Sequence, residues 1–309
     1  MQTACPTALF GFGCLLAVEL SSPQIAGAAQ QSPTGINHAF LATGQETYII
    51  SHRDTVIWSY ERPTRDGWVL PSGNILLALA KGPNYGGGVI EVTRAGQRVF
   101  EYKGTQAEVN TVQPLPNGRV LITEAGPEPC LKEIDRAGRA HVQFRLQCQT
   151  NDFHLQSRMA RKLANGNYLV PQMLDKVVRE YSAEGKVIWE VKTPGMPFTA
   201  IRLENSHTLI ACTIANRIIE VDAKGKTVWQ LTSEELPGKP FNDVCGVQRL
   251  PNGNTVLTSY HGKQGAPQLI EVTREKKIVW TYTDARRPGI HHFQILNDRG
   301  QPLAGAALR

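Results

Sequence analysis

The chain has 309 residues, of which 41% are hydrophobic and 19% are charged, and its formal net charge is +6. This balance is typical of a globular protein and argues against a disordered chain. Lys and Arg are scattered along the sequence rather than gathered into a run, so the composition also argues against a nucleic-acid-binding surface.

The N-terminal segment is predicted to be an export signal. An apolar run at residues 8–18 is too short to cross a bilayer but fits the core of a signal peptide. Small residues at 26–29 suit a cleavage site, although the segment has no basic residue at its start. We therefore expect residues 1–29 to be a signal peptide and the protein to be extracytoplasmic, either periplasmic or secreted, with a lipid anchor at Cys14 as the alternative. We expect no transmembrane segment after residue 30.

Residues 30–45 are rich in Gln, Ser, Gly and Ala and are expected to form a flexible lead-in. From residue 46 onward a strand pattern recurs, in which a Glu is followed nine residues later by an aromatic residue. The pairs are Glu91 with Phe100, Glu180 with Trp189, Glu220 with Trp229 and Glu271 with Trp280, and Val142 takes the aromatic place after Glu133. The second members are 40 to 51 residues apart, which is the period of a four-stranded propeller blade.

Turn sequences mark the hairpin between the first and second strands of each unit. They lie at Ser72-Gly73, Asn117-Gly118, Asn165-Gly166, Asn205-Ser206, Asn252-Gly253 and Arg299-Gly300. The repeat begins out of phase: residues 47–58 hold only the last two strands of a unit, and residues 290–305 hold only the first two. We therefore predict one all-β domain over residues 46–309, a six-bladed β-propeller of four-stranded antiparallel blades. Its last blade would join the N- and C-terminal strands and leave no open edge.

The cysteines predict no metal or redox centre, because no Cys-x-x-Cys occurs. Cys130 opens one strand and Cys148 closes the next, so a hairpin could bring them together as a disulfide in an exported protein. Two separate thiols are the alternative. Cys212 and Cys245 lie on apolar strands and are expected to be buried.

Polar residues interrupt the repeat where the first strands begin. In a propeller these strands line the central channel, so their starts should meet at one channel mouth. The interrupting residues are Arg65, Asp66, Glu108, Asn110, Asp152, His154, Arg158, Asn242, Asp243, Arg287, His291 and His292, and loops on the same face add Tyr85, Tyr260 and His261. Such convergence is the usual form of a binding site on a rigid scaffold.

Two sets of roles follow from these types. The predicted ligand-binding residues are Glu108, Asn110, Asn242, Asp243, Arg287, Tyr260 and His261, and the candidate catalytic residues are His154, Arg158, His291 and His292. Successive strand residues point to opposite faces, so the adjacent histidines cannot both grip one metal ion. The sequence therefore assigns no metal, and it leaves the cofactor unknown. The repeated Glu and Trp residues are expected to serve the blades, because a site normally breaks the repeat.

Residues 221–229, Val-Asp-Ala-Lys-Gly-Lys-Thr-Val-Trp, resemble the repeat of the PQQ-like propellers, whose units have the form Asp-x-x-Thr-Gly-Lys-x-x-Trp. Residues 184–189 resemble it too. The resemblance implies the propeller fold and carries over no catalytic residue. PQQ dehydrogenases have eight blades, and many have an adjacent cysteine pair that this chain lacks, so quinone-dependent oxidation is not favoured.

The chain also resembles the arylsulfotransferases in three features: the predicted six blades, the export signal and His291-His292 in the last blade. Those enzymes are exported propellers in which a channel histidine takes up the sulfuryl group. Two functions therefore stay open. One is an extracytoplasmic module that binds a small polar ligand, a glycan or a protein at the channel mouth. The other is an enzyme, either a His-dependent sulfuryl transferase or a metal-assisted lyase or hydrolase. No nucleophile, base and acid can be named together, which favours the binding module.

Overall fold

The β-branched and aromatic runs of the chain form strands, and the Asn-Gly dipeptides form the turns between them. At three of these turns Gly118, Gly166 and Gly253 adopt φ values of 79°, 90° and 85°, which only glycine takes without strain. The structure is a computed structural model that describes residues 1, 27–149, 151–303 and 309. Within these residues no helix is long and apolar enough to cross a membrane.

The described strands are β1 Ala29–Gln31, β2 Ala39–Gly44, β3 Thr47–Ile50, β4 Val56–Tyr60, β5 Thr64–Val69, β6 Ile75–Leu79, β7 Gly88–Val92, β8 Arg98–Lys103, β9 Glu108–Pro114, β10 Val120–Ala125, β11 Cys130–Ile134, β12 Ala140–Arg145, β13 Arg161–Lys162, β14 Tyr168–Gln172, β15 Val177–Tyr181, β16 Val187–Lys192, β17 Met196–Arg202, β18 Thr208–Thr213, β19 Arg217–Val221, β20 Thr227–Thr232, β21 Val247–Arg249, β22 Thr255–Thr258, β23 Leu269–Val272, β24 Ile278–Thr283 and β25 Ile290–Leu296. Two short 3₁₀ helices lie at Phe153–Leu155 and Ser233–Glu235.

These strands form six antiparallel sheets, which confirms the predicted six-bladed propeller. Blades 1 to 5 are β5–β8, β9–β12, β13–β16, β17–β20 and β21–β24, and blade 6 is β25, β2, β3 and β4. The first strand of each blade contacts first strands of neighbouring blades, so these strands form the inner ring. Hydrophobic clusters fill the spaces between successive blades and make up the core.

Blade 6 joins the two termini as predicted, but the division of strands differs from the expectation. We expected two strands from each end of the chain, and the structure takes three from the N-terminal side and one from the C-terminal side. Strand β2 pairs with β25, so that Phe40 lies opposite Ile295. Every residue of β2 is buried. Burial of this apolar segment between β25 and β3 stabilises it as a strand, whereas a loop would leave it exposed to water.

The segment predicted as a flexible lead-in is therefore built into the propeller. Besides β2 it contains part of β1, which adds a fifth strand to the outer edge of blade 5 and places Gln30 opposite Tyr282. Residues 301–303, expected in a strand, follow a turn that is held by one bridge between Leu296 and Pro302. Most of the predicted signal peptide, residues 2–26, lies outside the described residues.

The repeated Glu and aromatic residues face each other across strands three and four of a blade, as in the pairs Glu220–Trp229 and Glu271–Trp280. Blade 6 has Ile49 in place of the Glu, opposite Trp58. We expected Trp189, Trp229 and Trp280 to be largely buried, and Trp189 is only half-buried. Trp280 is fully buried, but Trp229 is only half-buried and donates its indole N–H to a carbonyl oxygen of the next blade at 2.9 Å.

The predicted disulfide between Cys130 and Cys148 is absent, and both residues are free thiols. The strand register places Cys130 opposite Arg145, so Cys148 lies beyond the paired part of the hairpin. Cys212 and Cys245 are buried, as expected.

Candidate functional site at the channel mouth

The starts of the first strands meet at one end of the inner ring. We call the cluster found there the mouth site. It comprises Arg65, Lys81, Glu108, His154, Arg158, Phe198, Tyr260 and His291. Its members come from all six blades, because each first strand, or a loop on the same side, reaches this end of the ring.

Glu108 is the charged centre of the mouth site. Its carboxylate accepts a hydrogen bond from Lys81 Nζ at 2.7 Å and lies 3.0 Å from His154 Nδ1 and 3.7 Å from a guanidinium nitrogen of Arg65. Burial alone would raise the pKa of Glu108, but the bonds from His154 and Lys81 and the charge of Arg65 outweigh it and lower the pKa to about 2. Glu108 is therefore ionised at neutral pH, and its carboxylate is already paired with Lys81, His154 and Arg65.

His154 is held in one orientation by two contacts. It lies in the short 3₁₀ helix at Phe153–Leu155, and its backbone N–H donates to the side chain of Asp152 at 2.9 Å. The ionised Glu108 draws the ring proton to Nδ1, so Nε2 carries the lone pair and is the nitrogen left for a ligand. The His154 side chain is 41% exposed, so that nitrogen is accessible from the mouth.

Arg158 is a buried cation that has no carboxylate of the described residues within ion-pair distance. Its side chain is 2% exposed, and its guanidinium donates to the backbone oxygen of Ser157 at 3.0 Å and lies 5.7 Å from the ring centre of Phe198. No carboxylate of the described residues lies within 4.0 Å of it. Burial first, and then the charge of Arg65, lower the pKa of Arg158 to about 10, so it is still protonated at neutral pH.

His291 is a neutral aromatic partner in the same site. Its ring stacks on Tyr260 with centroids 3.9 Å apart and lies 5.6 Å from the ring of Phe198. Burial, followed by the charges of Arg158 and Arg65, lowers the pKa of His291 to about 3. Uncharged, His291 offers ring nitrogens that donate or accept without adding to the positive charge around it.

His292 has different neighbours from those of His291. It is fully buried, and its Nδ1 lies 3.5 Å from Asp66, which also binds the guanidinium of Arg161 at 2.9 Å. Asp66 accepts a hydrogen bond from the backbone N–H of Val112, in the middle of β9. This second cluster therefore lies deeper along the channel than Glu108, which begins the same strand, and His292 is not part of the mouth site.

Two of the predicted ligand-binding residues, Asn242 and Asp243, bond to neighbouring loops. Asp243 adopts a φ of 61°, accepts from the backbone N–H of Ile214 at 2.9 Å and from His261 Nδ1 at 2.5 Å, and also binds Thr213. Asn242 donates to the backbone oxygen of His261 at 2.9 Å. His261 is thus held beside the mouth as part of this loop network, with its side chain 64% exposed.

Three further predicted residues form no hydrogen bond or ion pair with the described members of the mouth site. Arg287 forms ion pairs with Glu46 and Asp284 and covers the ring of Tyr48. Tyr85 lies under Arg62 at the outer part of blade 1. Asn110 is buried on β9, and neither of its amide atoms has a partner among the described side chains and backbone groups.

Comparison with known proteins was made against this geometry. Residues 50–261 match the family model described as Mal s 1 allergenic protein-like. The chain belongs to this family. No curated protein matches the chain. The PQQ-like repeat that the sequence suggested is not confirmed by these matches, which support the propeller fold itself.

Several solved propellers superimpose on this Mal s 1-like protein. A protein of unknown function from Bacteroides caccae has a TM-score of 0.75 and 23% identity, and the match covers 85% of this chain and 100% of that one. The nidogen/laminin complex gives a TM-score of 0.61 and 10% identity over 85% and 99% of the two chains. A catalytically inactive histidine variant of virginiamycin B lyase from Staphylococcus aureus was solved with quinupristin. It has a TM-score of 0.56 and 11% identity, and the match covers 83% of this chain and 99% of that one. At these identities the likeness shows the shared fold.

Sequence reasoning missed two members of the mouth site in this Mal s 1-like protein. Lys81 directly precedes the long loop at residues 82–88, which was already placed on the channel face, and this position was the available signal. Phe198 is apolar and therefore did not interrupt the repeat in a visible way. Among the described residues no group of three or more His, Cys, Asp or Glu side chains is arranged to hold a metal ion.

Proposed function

We propose that this protein is a binding module that holds a small anionic ligand at the mouth of the propeller channel. The observation that carries the proposal is the buried guanidinium of Arg158, which has no carboxylate partner among the described residues. A buried, unpaired charge costs several kcal/mol, so such groups are normally paired with a counter-ion or a ligand. A bound anion would supply the missing partner.

The charges of the surrounding side chains support the same proposal. Arg65, Lys81 and Arg158 bring three positive charges to the mouth site, and the negative charge of Glu108 is already shared between Lys81 and His154. Asp152 and Asp243 add negative charge nearby, and both carboxylates are bonded within their own loops. An anion that pairs with Arg158 would lie in a partly dry site, where electrostatic attraction is stronger than in water.

The depth of Arg158 favours a small ligand over the glycan or protein that the sequence also allowed. With the side chain 2% exposed, the flat surface of a protein partner could not reach the guanidinium, and a neutral glycan would leave its charge unpaired. We retain export through residues 1–29 as part of the proposal, so the ligand would be met outside the cytoplasm.

Thermal-shift measurements with a panel of acetate, phosphate and sulfate test the proposal. At least one anion should raise the melting temperature of the wild type and leave that of Arg158→Gln unchanged. Arg287→Gln is the matched control, because Arg287 already has carboxylate partners away from the mouth. The proposal fails if no anion stabilises the wild type, or if both variants lose the effect equally.

An enzyme is the second candidate, and the His154–Glu108 pair is the observation that favours it. A carboxylate that binds Nδ1 and leaves Nε2 accessible is the arrangement of a histidine acting as a general base or nucleophile. Of the alternatives open from the sequence, His-dependent sulfuryl transfer is the one that would use such a histidine. Turnover of an aryl sulfate with a phenol acceptor, lost in His154→Asn, would support sulfuryl transfer; no turnover would leave the binding module.

A further inference from the structure

We propose that the ligand is an amphipathic carboxylate, a small organic acid with one carboxylate group and an aromatic or branched apolar body. This inference rests on the proposed anion-binding function and names the chemical class of the anion. It follows from an apolar surface that adjoins the charged groups at the mouth site.

The apolar surface comes from blades 3 to 5. A cluster of buried side chains lies beside the mouth site and consists of Met159, Met173, Phe198 and Cys245. Three further side chains, Leu155, Met196 and Tyr260, pack against this cluster and are only partly buried. We call the three partly exposed residues, Leu155, Met196 and Tyr260, together with the Phe198 ring beside Arg158, the apolar wall. Methionine and aromatic side chains of this kind adapt to irregular apolar ligands, which suits a wall that is covered when a ligand binds.

Arg158 lies at the boundary between the apolar wall and the charged groups. On one side its guanidinium lies 5.7 Å from the ring of Phe198, and on the other side its charge interacts with those of Arg65 and Glu108. A ligand whose anionic group pairs with Arg158 would therefore place its remaining atoms against Phe198, Met196 or Tyr260. A ligand without an apolar part would leave that surface in contact with water.

A carboxylate fits this position better than a phosphate does. A single guanidinium offers two parallel N–H groups that match the planar geometry of a carboxylate. The ionised Glu108 is part of the same site, and it would repel a doubly charged phosphate more strongly than a singly charged carboxylate. The charged groups and the apolar wall together select one negative charge on an apolar body.

Calorimetric titration with three matched probes tests this inference: acetate, phenylacetate and the neutral isostere 2-phenylethanol. We expect phenylacetate to bind at least roughly tenfold more tightly than acetate, because its ring covers the apolar wall, and 2-phenylethanol to show no measurable binding. Met196→Ser should reduce this preference while acetate binding stays unchanged. Met196 is partly exposed, so this variant is expected to fold, and Phe198→Leu, which removes the ring and keeps an apolar side chain, should also reduce the preference.

The outcomes separate this inference from the proposed function. Equal affinities for acetate and phenylacetate would overturn the amphipathic class and leave the anion-binding function intact. Tighter binding of inorganic phosphate than of phenylacetate would overturn the carboxylate class in the same way. Binding of 2-phenylethanol as tight as that of phenylacetate, or no binding of any anion, would overturn both proposals.

Discussion

Charged side chains are buried both at the mouth site and between blades. Between blades they are paired with opposite charges, whereas Arg158 at the mouth site is not. Glu220 lies between blades 4 and 5, where it binds His207 at 2.9 Å, Arg249 at 3.2 Å and also Arg274. Arg158 is as deeply buried and binds no carboxylate among the described residues. Paired carboxylates of the Glu220 kind recur around the ring, whereas Arg158 is the one buried cation without a carboxylate partner among the described residues. Repeated, paired charges hold the blades together, whereas an unrepeated, unpaired charge is available to a ligand.

The repeated arrangement follows one rule. Four of the repeated Glu residues, Glu91, Glu180, Glu220 and Glu271, each bond to a polar side chain of their own blade and to a cationic or His side chain of the next segment of the ring. Glu91 binds Asn74 at 2.8 Å and Arg136 of blade 2 at 2.6 Å, and Glu271 binds Asn254 at 2.7 Å and His38 at 2.6 Å. Such partly buried, charge-assisted bonds are stronger than exposed ion pairs and fix how neighbouring blades pack.

The largest effect is expected from removing part of the ring itself. Deletion of residues 39–60 takes away β2, β3 and β4, which are three of the four strands of blade 6. The edges of β25 and of the neighbouring blades would then expose apolar surface, so the product should aggregate. Light scattering and a thermal melt measure this result. A soluble product with a cooperative melt would show that blade 6 is dispensable.

The two Trp residues at equivalent positions should differ in their contribution to stability. Trp280 is fully buried because β1 covers it, and its indole N–H donates to Gln30 at 2.8 Å. Trp280→Ala should lower the free energy of unfolding by about 3–5 kcal/mol, and Trp229→Ala should cost clearly less because that ring is half-buried. Urea denaturation of both variants measures the difference. Equal losses would contradict a protective role for β1.

The mouth site should contribute to stability through Glu108 in a defined pH range. Its pKa is lowered from 4.5 to about 2 in the folded protein, so its stabilising effect is present above pH 4.5 and is lost as the pH falls towards 2. The shift corresponds to at most about 3 kcal/mol. Denaturation of the wild type and of Glu108→Gln at several pH values between 6 and 2 tests this. The two curves should converge at low pH, and parallel curves would show that Glu108 does not titrate as described.

The smallest effects on stability are expected from substitution of Glu220 and Arg158. They also test most directly whether the two buried charges differ in role. Glu220→Gln should lower the free energy of unfolding by about 1–3 kcal/mol, because three partners lose a charged acceptor. Arg158→Gln should change it by less than about 1 kcal/mol or raise it, because the cost of a buried, unpaired charge is removed. Similar losses in both variants would show that Arg158 supports the scaffold.

The strands of most blades could be predicted from the sequence, because the same cross-strand pair of residues recurs in them. A Glu and an aromatic residue nine positions apart become cross-strand neighbours in a short hairpin, so the spacing alone indicates the register, as at Glu220 and Trp229. Strand β2 was missed because it lacks this pair, and its Ala- and Gly-containing sequence resembles a loop. Only its burial against β25 makes it a strand.

The site could be located from the sequence but not assembled from it. Interruption of the repeat at the strand starts indicated one mouth, and Glu108, His154 and Arg158 lie there. Their contacts depend on the ring, since 46 positions separate Glu108 from His154. Asn242 and Asp243 bond to neighbouring loops, and no local sequence pattern indicates such loop-to-loop bonds.

Blade 6 also has a consequence for how the protein is made. Its outer strands, β2 to β4, emerge from the ribosome before any of blades 1 to 5, whereas its innermost strand β25 follows after all of them. Until β25 is synthesised, β2 has no partner on its inner side, and this long-range pairing is slow to form. The nascent chain therefore carries an unpaired apolar strand until β25 is synthesised and the ring closes.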